Sequence, residues 1–130
     1  MPITRFDSWK EARNWYQRQR GVDILPIYER MRQIAARHQT IAYMRLPLAQ
    51  QIGRRWIGEI VGCVSEEEVT KSGRLLSVLV VRSDTGLPGV GFFLLDTVID
   101  RHGSLRPQKS GVLTAHQRQV IQIEQTRAWR

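Results

Sequence analysis

The sequence has very little cysteine and no long apolar run. Its one cysteine, Cys63, cannot form a disulfide within the chain, which is typical of a reduced protein. The longest mostly apolar run, residues 75–81, is far shorter than the roughly 20 residues that cross a bilayer. The first residues lack the apolar core of a secretory signal. We therefore expect a cytoplasmic protein without a membrane span.

Lysine is also scarce, although the chain is strongly basic. Twenty Lys and Arg residues oppose 12 Asp and Glu, giving a net charge of +8 and a pI near 10.8, and only three of the twenty are lysines. Arginine binds phosphate through a planar fork and stacks on bases. Residues 1–55 carry +7, residues 56–100 carry −4 and residues 101–130 carry +5. This profile predicts an anionic partner, nucleic acid in the first place, with an acidic protein as the alternative.

Helix signals are strong at both ends of the chain. Ser8 caps a helix over residues 9–20, and Pro26 favours the start of a second helix over residues 26–38. Thr114 caps a closing helix over residues 115–129. The apolar pattern of that closing helix is weak, which predicts a helix on the surface or on a partner chain.

The middle of the chain alternates short elements with turns. In order, we predict a β-prone stretch at 40–43, a helix at 46–52, a turn at Gly53, a helix at 54–64, a helix capped by Ser65 and ended by Gly73, a strand at 75–82 and a strand at 90–95. Turn formers at 83–86 predict that the two strands pair as an antiparallel hairpin. Residues 100–111 show no periodicity and predict an exposed basic loop.

This order of elements is that of a winged helix-turn-helix. We predict a mainly helical α+β fold with a β-hairpin wing and extra N-terminal and C-terminal helices. A chain of 130 residues is expected to form one domain. Within it, residues 1–39 hold the N-terminal helices, residues 40–99 the helix-turn-helix and wing, and residues 100–130 the basic loop and last helix.

The candidate nucleic-acid contacts lie on the second helix of the pair and on the basic loop. Arg54 and Arg55 stand at a helix N-terminus, where amide donors and the helix dipole favour phosphate. Trp56 either packs in the core or stacks on a base. From these features, the residues expected to bind are Arg45, Arg54, Arg55, Trp56, Arg101, Arg106 and Lys109.

Residues 42–58, followed by a strand and a Gly-rich hairpin, resemble the DNA-binding domain of alkylguanine alkyltransferases and alkyltransferase-like proteins. The resemblance implies that Tyr43 presses on the DNA backbone and that Arg55 is an arginine finger inserted through the minor groove. The family's Pro-Cys-His-Arg site is absent, and Ser77 stands in place of the acceptor cysteine, which excludes alkyl transfer. Residues 58–93 also resemble a set of uncharacterised small bacterial proteins, which implies no function.

Two other functions are consistent with the residues. An interaction module would use exposed tryptophans, namely Trp9, Trp15 and Trp129. A small metal-dependent nuclease would use carboxylates, namely Glu59, Asp84, Asp96 and Asp100, with Lys109 nearby. We expect neither catalysis nor a metal or cofactor, because the histidines and Cys63 lack metal-ligand spacing. We therefore predict a non-catalytic nucleic-acid-binding protein, with double-stranded DNA as the expected ligand.

Overall fold

The computed structural model describes residues 6–105 and 112–130, apart from the side chain of Val90. Its elements are α1 (Trp9–Arg20), α2 (Leu25–Ala36), β1 (Ile41–Ala42), α3 (Ala49–Ile52), α4 (Arg54–Ser72), β2 (Val80–Val81), α5 (Asp96–His102) and α6 (Ala115–Ala128). Short 3₁₀ turns cover Tyr43–Arg45, Leu76–Leu79 and Val90–Leu94. The fold is mainly helical α+β, as predicted. Within the described ranges, no helix combines the length and apolar character needed to cross a membrane.

The first two helices form where the local signals place them. The Ser8 hydroxyl accepts a hydrogen bond from the Glu11 amide, and Gly21 ends α1 in the left-handed conformation. Pro26 lies in the first turn of α2. The buried residues of both helices recur at helical spacing, as in Trp9, Ala12 and Tyr16 of α1.

Helix α3 is shorter than predicted. The sequence pattern favours a helix over residues 46–52, but the chain becomes helical only at Ala49. Pro47 excludes the helical conformation at Leu46, which is extended with ψ 150°. One turn of helix therefore remains before Gly53.

Helix α4 is one continuous helix of 19 residues, where the sequence pattern predicts two. The predicted cap of the second helix is Ser65. Its hydroxyl instead accepts a hydrogen bond from the Ser77 hydroxyl at 2.9 Å, and both serines are buried. The helix continues through Ser65 because that side chain is satisfied by tertiary contact rather than by its own backbone. α4 packs against α1, α2, α3 and the Leu76–Leu79 turn.

The predicted hairpin is wrong. β2 pairs in parallel with β1, with Ile41 opposite Val80 and Ala42 opposite Val81. The turn at 83–86 does form, because the Arg82 amide donates to the Leu87 carbonyl at 2.9 Å. No second strand follows it in the described residues.

The reason lies in the residues that follow the turn. Pro88 has no amide with which to continue a ladder. Phe92 and Phe93 are both buried, which the alternation of a strand with one covered face does not allow. Residues Val90–Leu94 therefore coil into a 3₁₀ turn that brings both rings into the core.

The closing part of the chain also differs from the prediction. Residues 100–102 belong to α5 rather than to an exposed loop. The capping box of Thr114 and Gln117 forms at the start of α6 as predicted. However, Val120, Ile121 and Ala128 of α6 are buried in the core, so the helix packs on its own chain.

Two buried carboxylates join the helices. Glu68 of α4 accepts hydrogen bonds from a ring of donors on α2 and near the end of α4, namely Tyr28, Arg32, Ser72 and Arg74. Glu124 of α6 contacts Arg101 and His102 of α5 and Arg127 of α6. The sequence pattern of residues 66–68 predicts a solvated helix start, whereas Glu68 is only 2% exposed. A buried charge of this kind requires such partners.

The Glu68 network makes stability fall in acid. Burial raises the pKa of Glu68, but hydrogen bonds from Ser72, Tyr28 and Arg32 outweigh it and lower that pKa from 4.5 to about 2. Because the folded pKa is the lower one, this stabilisation is present above pH 4.5 and is lost as the pH falls towards 2. In urea titrations, we expect the free energy of unfolding of the wild type to fall more steeply over this pH range than that of Glu68→Gln. Equal pH profiles for the two proteins would contradict the role given to Glu68.

Candidate nucleic-acid interface

A half-open cleft with a volume of about 1030 Å³ lies beside the first two turns of α4. Its other walls are the Tyr43–Arg45 turn, the segment after β2 and the segment 89–95. Arg45, Arg54, Arg55 and Glu59 all line it, and we call it the arginine cleft. Its apolar surface comes from Met44, Val61, Val81, Phe92, Leu94 and Leu95. Its volume is at the upper end of the range found for ligand pockets.

Gly53 is the turn from which α4 begins at the edge of the cleft. It has φ +93°, a conformation that favours glycine, and it connects α3 to α4 as a one-residue turn. No side chain caps the N-terminus of α4, and no acidic residue lies in its first turn. Arg54 and Arg55 occupy that turn and are exposed. The first amides of α4 and two guanidinium groups thus lie together at the cleft.

Four arginines line the cleft, and three of them have no acidic partner among the described residues. Among residues 6–105 and 112–130, no hydrogen bond or ion pair joins Arg45, Arg54 or Arg55 to a carboxylate. The Arg55 guanidinium lies 5.3 Å from the centroid of the Trp56 ring, a cation–π contact. By contrast, the arginines that do pair with carboxylates are Arg13, Arg32, Arg74, Arg82, Arg101 and Arg127.

Trp56 and Tyr43 contribute mainly to the frame of the site. Trp56 is half-buried against the core and does not line the cleft. Tyr43 does line it, but its hydroxyl receives a hydrogen bond from the backbone of Gly89. Burial raises the pKa of Tyr43. The tyrosine thus ties the Tyr43–Arg45 turn to the segment on the opposite wall.

Arg101, the described one of the three basic residues predicted on the loop, does not join this cluster. The Arg101 side chain donates to Glu124 at 2.9 Å and to the Gly73 carbonyl at 2.6 Å, and it does not line the cleft. Arg106 and Lys109 lie outside the described residues.

Two polar residues of the cleft wall, Arg82 and Gln50, are not among those predicted from the sequence, and Asp84 is suggested there only as a nuclease carboxylate. Arg82 and Asp84 face the cleft as a bidentate pair with distances of 3.0 and 2.8 Å. The hydrogen bond from Arg82 lowers the pKa of Asp84. Gln50 also lines the cleft. The turn formers around Asp84 are the one local signal for this segment, and they do not show which wall it faces.

The carboxylates suggested for a nuclease are divided between two places. Glu59 and Asp84 line the arginine cleft, whereas Asp96 and Asp100 are exposed on α5 and do not. Within the described parts of the chain, no three His, Cys, Asp or Glu residues are grouped so that they could hold a metal ion. Cys63 is buried, as predicted for a small apolar side chain. The four suggested carboxylates therefore do not meet at one place.

The tryptophans suggested for a protein interface are largely packed within the chain. Trp9 is 8% exposed and makes an edge contact with Tyr28. Trp15 packs against the core beside Phe6. The Trp129 indole donates to the Gln39 carbonyl at 3.1 Å. The predicted exposure is therefore wrong for Trp9, and Trp15 and Trp129 are only partly exposed.

Comparisons with known protein families, with curated proteins and with solved structures find no match for this chain.

Proposed function

We propose that this protein binds nucleic acid, with double-stranded DNA as its principal ligand, and that the arginine cleft is the binding site. The proposed binding is non-covalent and includes no catalytic step. The observation that carries the proposal is the convergence of Arg45, Arg54 and Arg55, all without an acidic partner in the described residues, on one open cleft. A phosphate backbone is the anion that such a row of guanidinium groups fits best.

The position of Arg54 and Arg55 supports an anionic ligand independently. The positive end of the helix dipole disfavours cations at a helix N-terminus, so this pair destabilises the isolated helix. Local conflicts of this kind are expected at functional sites. A bound phosphate would relieve the repulsion between the arginines and also accept hydrogen bonds from the uncapped amides of α4.

The order of α3 and α4 supports a role for α4 as the helix that meets the nucleic acid. In a helix-turn-helix protein, the first helix braces the second, whose N-terminal residues reach the ligand. Here α3 packs on α4 and Gly53 joins them. In the proposed complex, the segment 89–95, which also lines the cleft, takes the place that a hairpin wing would have.

Binding is tested by titrating labelled duplex DNA, single-stranded DNA and RNA at a series of salt concentrations. Each phosphate that the protein neutralises adds about −0.9 to the slope of log association constant against log salt concentration, so three phosphates give about −2.7 on duplex DNA. We expect duplex DNA to bind most tightly. Absence of binding at low salt, or a slope near zero, would overturn the proposal.

A further inference from the structure

One carboxylate in the arginine cleft has an oxygen without a partner. Glu59 lies in the second turn of α4 and lines the cleft. Its Oε2 atom is buried, and no hydrogen bond reaches it from any described residue. A buried acceptor without a donor costs free energy, and more so when it is charged. Such an atom in a native fold is a candidate for binding a donor from outside the chain.

The surroundings leave Glu59 open to a ligand. Glu59 as a whole residue is only half-buried and lines the cleft, although its Oε2 atom is covered. Asp84, the other acid of the cleft, is already paired with Arg82. Among the described lining residues, Glu59 is thus the carboxylate available to a ligand, and Arg55 lies one helical turn before it.

The chemistry of Glu59 restricts the chemical groups that a ligand can place beside it. A carboxylate only accepts hydrogen bonds, so it repels phosphate and the carbonyl oxygens of thymine or uracil. It attracts the exocyclic amines of bases, and the N4 amine of cytosine is the usual partner of Glu or Asp in nucleic-acid complexes. A ligand that carries phosphates for the arginines and a donor for Glu59 satisfies both halves of the cleft.

We infer that Glu59 is a specificity residue that accepts a hydrogen bond from the N4 amine of a cytosine in the bound nucleic acid. This inference rests on the proposed function, because the arginines supply the affinity on which the discrimination depends. The contact distinguishes cytosine from thymine at one position by about 5- to 150-fold. It adds nothing to binding at other positions.

The test is selection of bound sequences from a randomised duplex pool by the wild type, Glu59→Ala and Glu59→Gln. We expect the wild type to enrich cytosine at one position. Glu59→Ala loses that enrichment and binds unrelated DNA more tightly, because one negative charge near the phosphates is gone. Glu59→Gln shifts the preference to adenine, since an amide both donates to N7 and accepts from N6.

The outcomes separate this inference from the proposed function. If all three proteins bind DNA and enrich the same bases, or if the wild type enriches thymine or no base, Glu59 does not recognise a base while the binding proposal stands. If no protein binds any nucleic acid, both proposals fail. Should Glu59→Ala not fold, Glu59→Gln decides, because it keeps the shape of the side chain and replaces the carboxylate with a neutral amide.

Discussion

Replacing Glu124 with alanine is expected to lower the free energy of unfolding by about 3 to 5 kcal/mol. The side chain of Glu124 is fully buried and accepts from Arg101 at 2.9 Å. His102 Nε2 lies 2.6 Å from its other oxygen. Arg101 and His102 are themselves mostly buried, so removal of the carboxylate leaves two desolvated groups without a counterpart. The same Arg101 also binds the Gly73 carbonyl at the end of α4, which makes the network a joint between α4, α5 and α6.

Chemical denaturation measures this loss, and two variants serve as controls. Glu124→Gln keeps an acceptor for Arg101 and is expected to lose less than Glu124→Ala. Asp100→Ala removes an exposed acid from α5, close in sequence to Arg101, and should change stability by no more than about 0.5 kcal/mol. A loss below about 1 kcal/mol for Glu124→Ala would show that the network does not join the helices.

Replacing Arg45, Arg54 and Arg55 together with alanine is expected to weaken duplex binding by about 500-fold near 0.1 M salt. At that concentration, each phosphate contact contributes roughly eightfold to the association constant. Titration of a fluorescent duplex measures the change in affinity. Circular dichroism and thermal unfolding test whether the variant remains folded, which we expect because all three residues are exposed and have no carboxylate partner among the described residues.

The matched control removes three arginines elsewhere. Arg37, Arg118 and Arg130 are exposed, have no carboxylate partner in the described ranges and do not line the arginine cleft. Their replacement with alanine changes the net charge by the same amount. We expect a much smaller loss of affinity for this control, while equal losses for the two triple variants would indicate diffuse attraction to a basic chain.

Elements defined by local signals are predicted well. The Ser8 cap, the Gly21 stop and the Thr114 capping box all involve residues within a few positions of each other, and the helices they delimit form as expected. Prediction fails where a distant partner decides. Ser65 is typical of a helix cap when only its neighbours in sequence are considered. In the structure its hydroxyl accepts a hydrogen bond from the Ser77 hydroxyl, and α4 continues through it.

Strand pairing is also decided by residues that are distant in sequence. The β-branched run at 75–82 is buried through Val81, but only Val80–Val81 of the predicted strand forms, and Leu76–Leu79 is a 3₁₀ turn. Its predicted partner is wrong, because parallel pairing with Ile41 and Ala42 depends on packing of α2 and α4 that no local pattern records. The hairpin turn forms without the hairpin, because Pro88 and the adjacent phenylalanines favour a coiled path into the core.

The candidate site is predictable in part for a related reason. Arg54 and Arg55 follow from a local signal, the start of a helix after Gly53, and the structure places Arg45, which is also predicted to bind, in the same cleft. Composition alone places Arg101 on a loop, but its carboxylate partner lies 23 positions away at Glu124. Glu59 carries no sequence signal for a role in base recognition, because an unpartnered oxygen becomes visible only in three dimensions.

The slope of the logarithm of the association constant against the logarithm of salt concentration tests the proposed binding mode most directly. It is measured on one duplex for the wild type and for the variant with alanine at Arg45, Arg54 and Arg55. If these three side chains contact three phosphates, the slope of the variant is shallower by about 2.7. Identical slopes would contradict the proposed mode, because the phosphates would then be held by other residues.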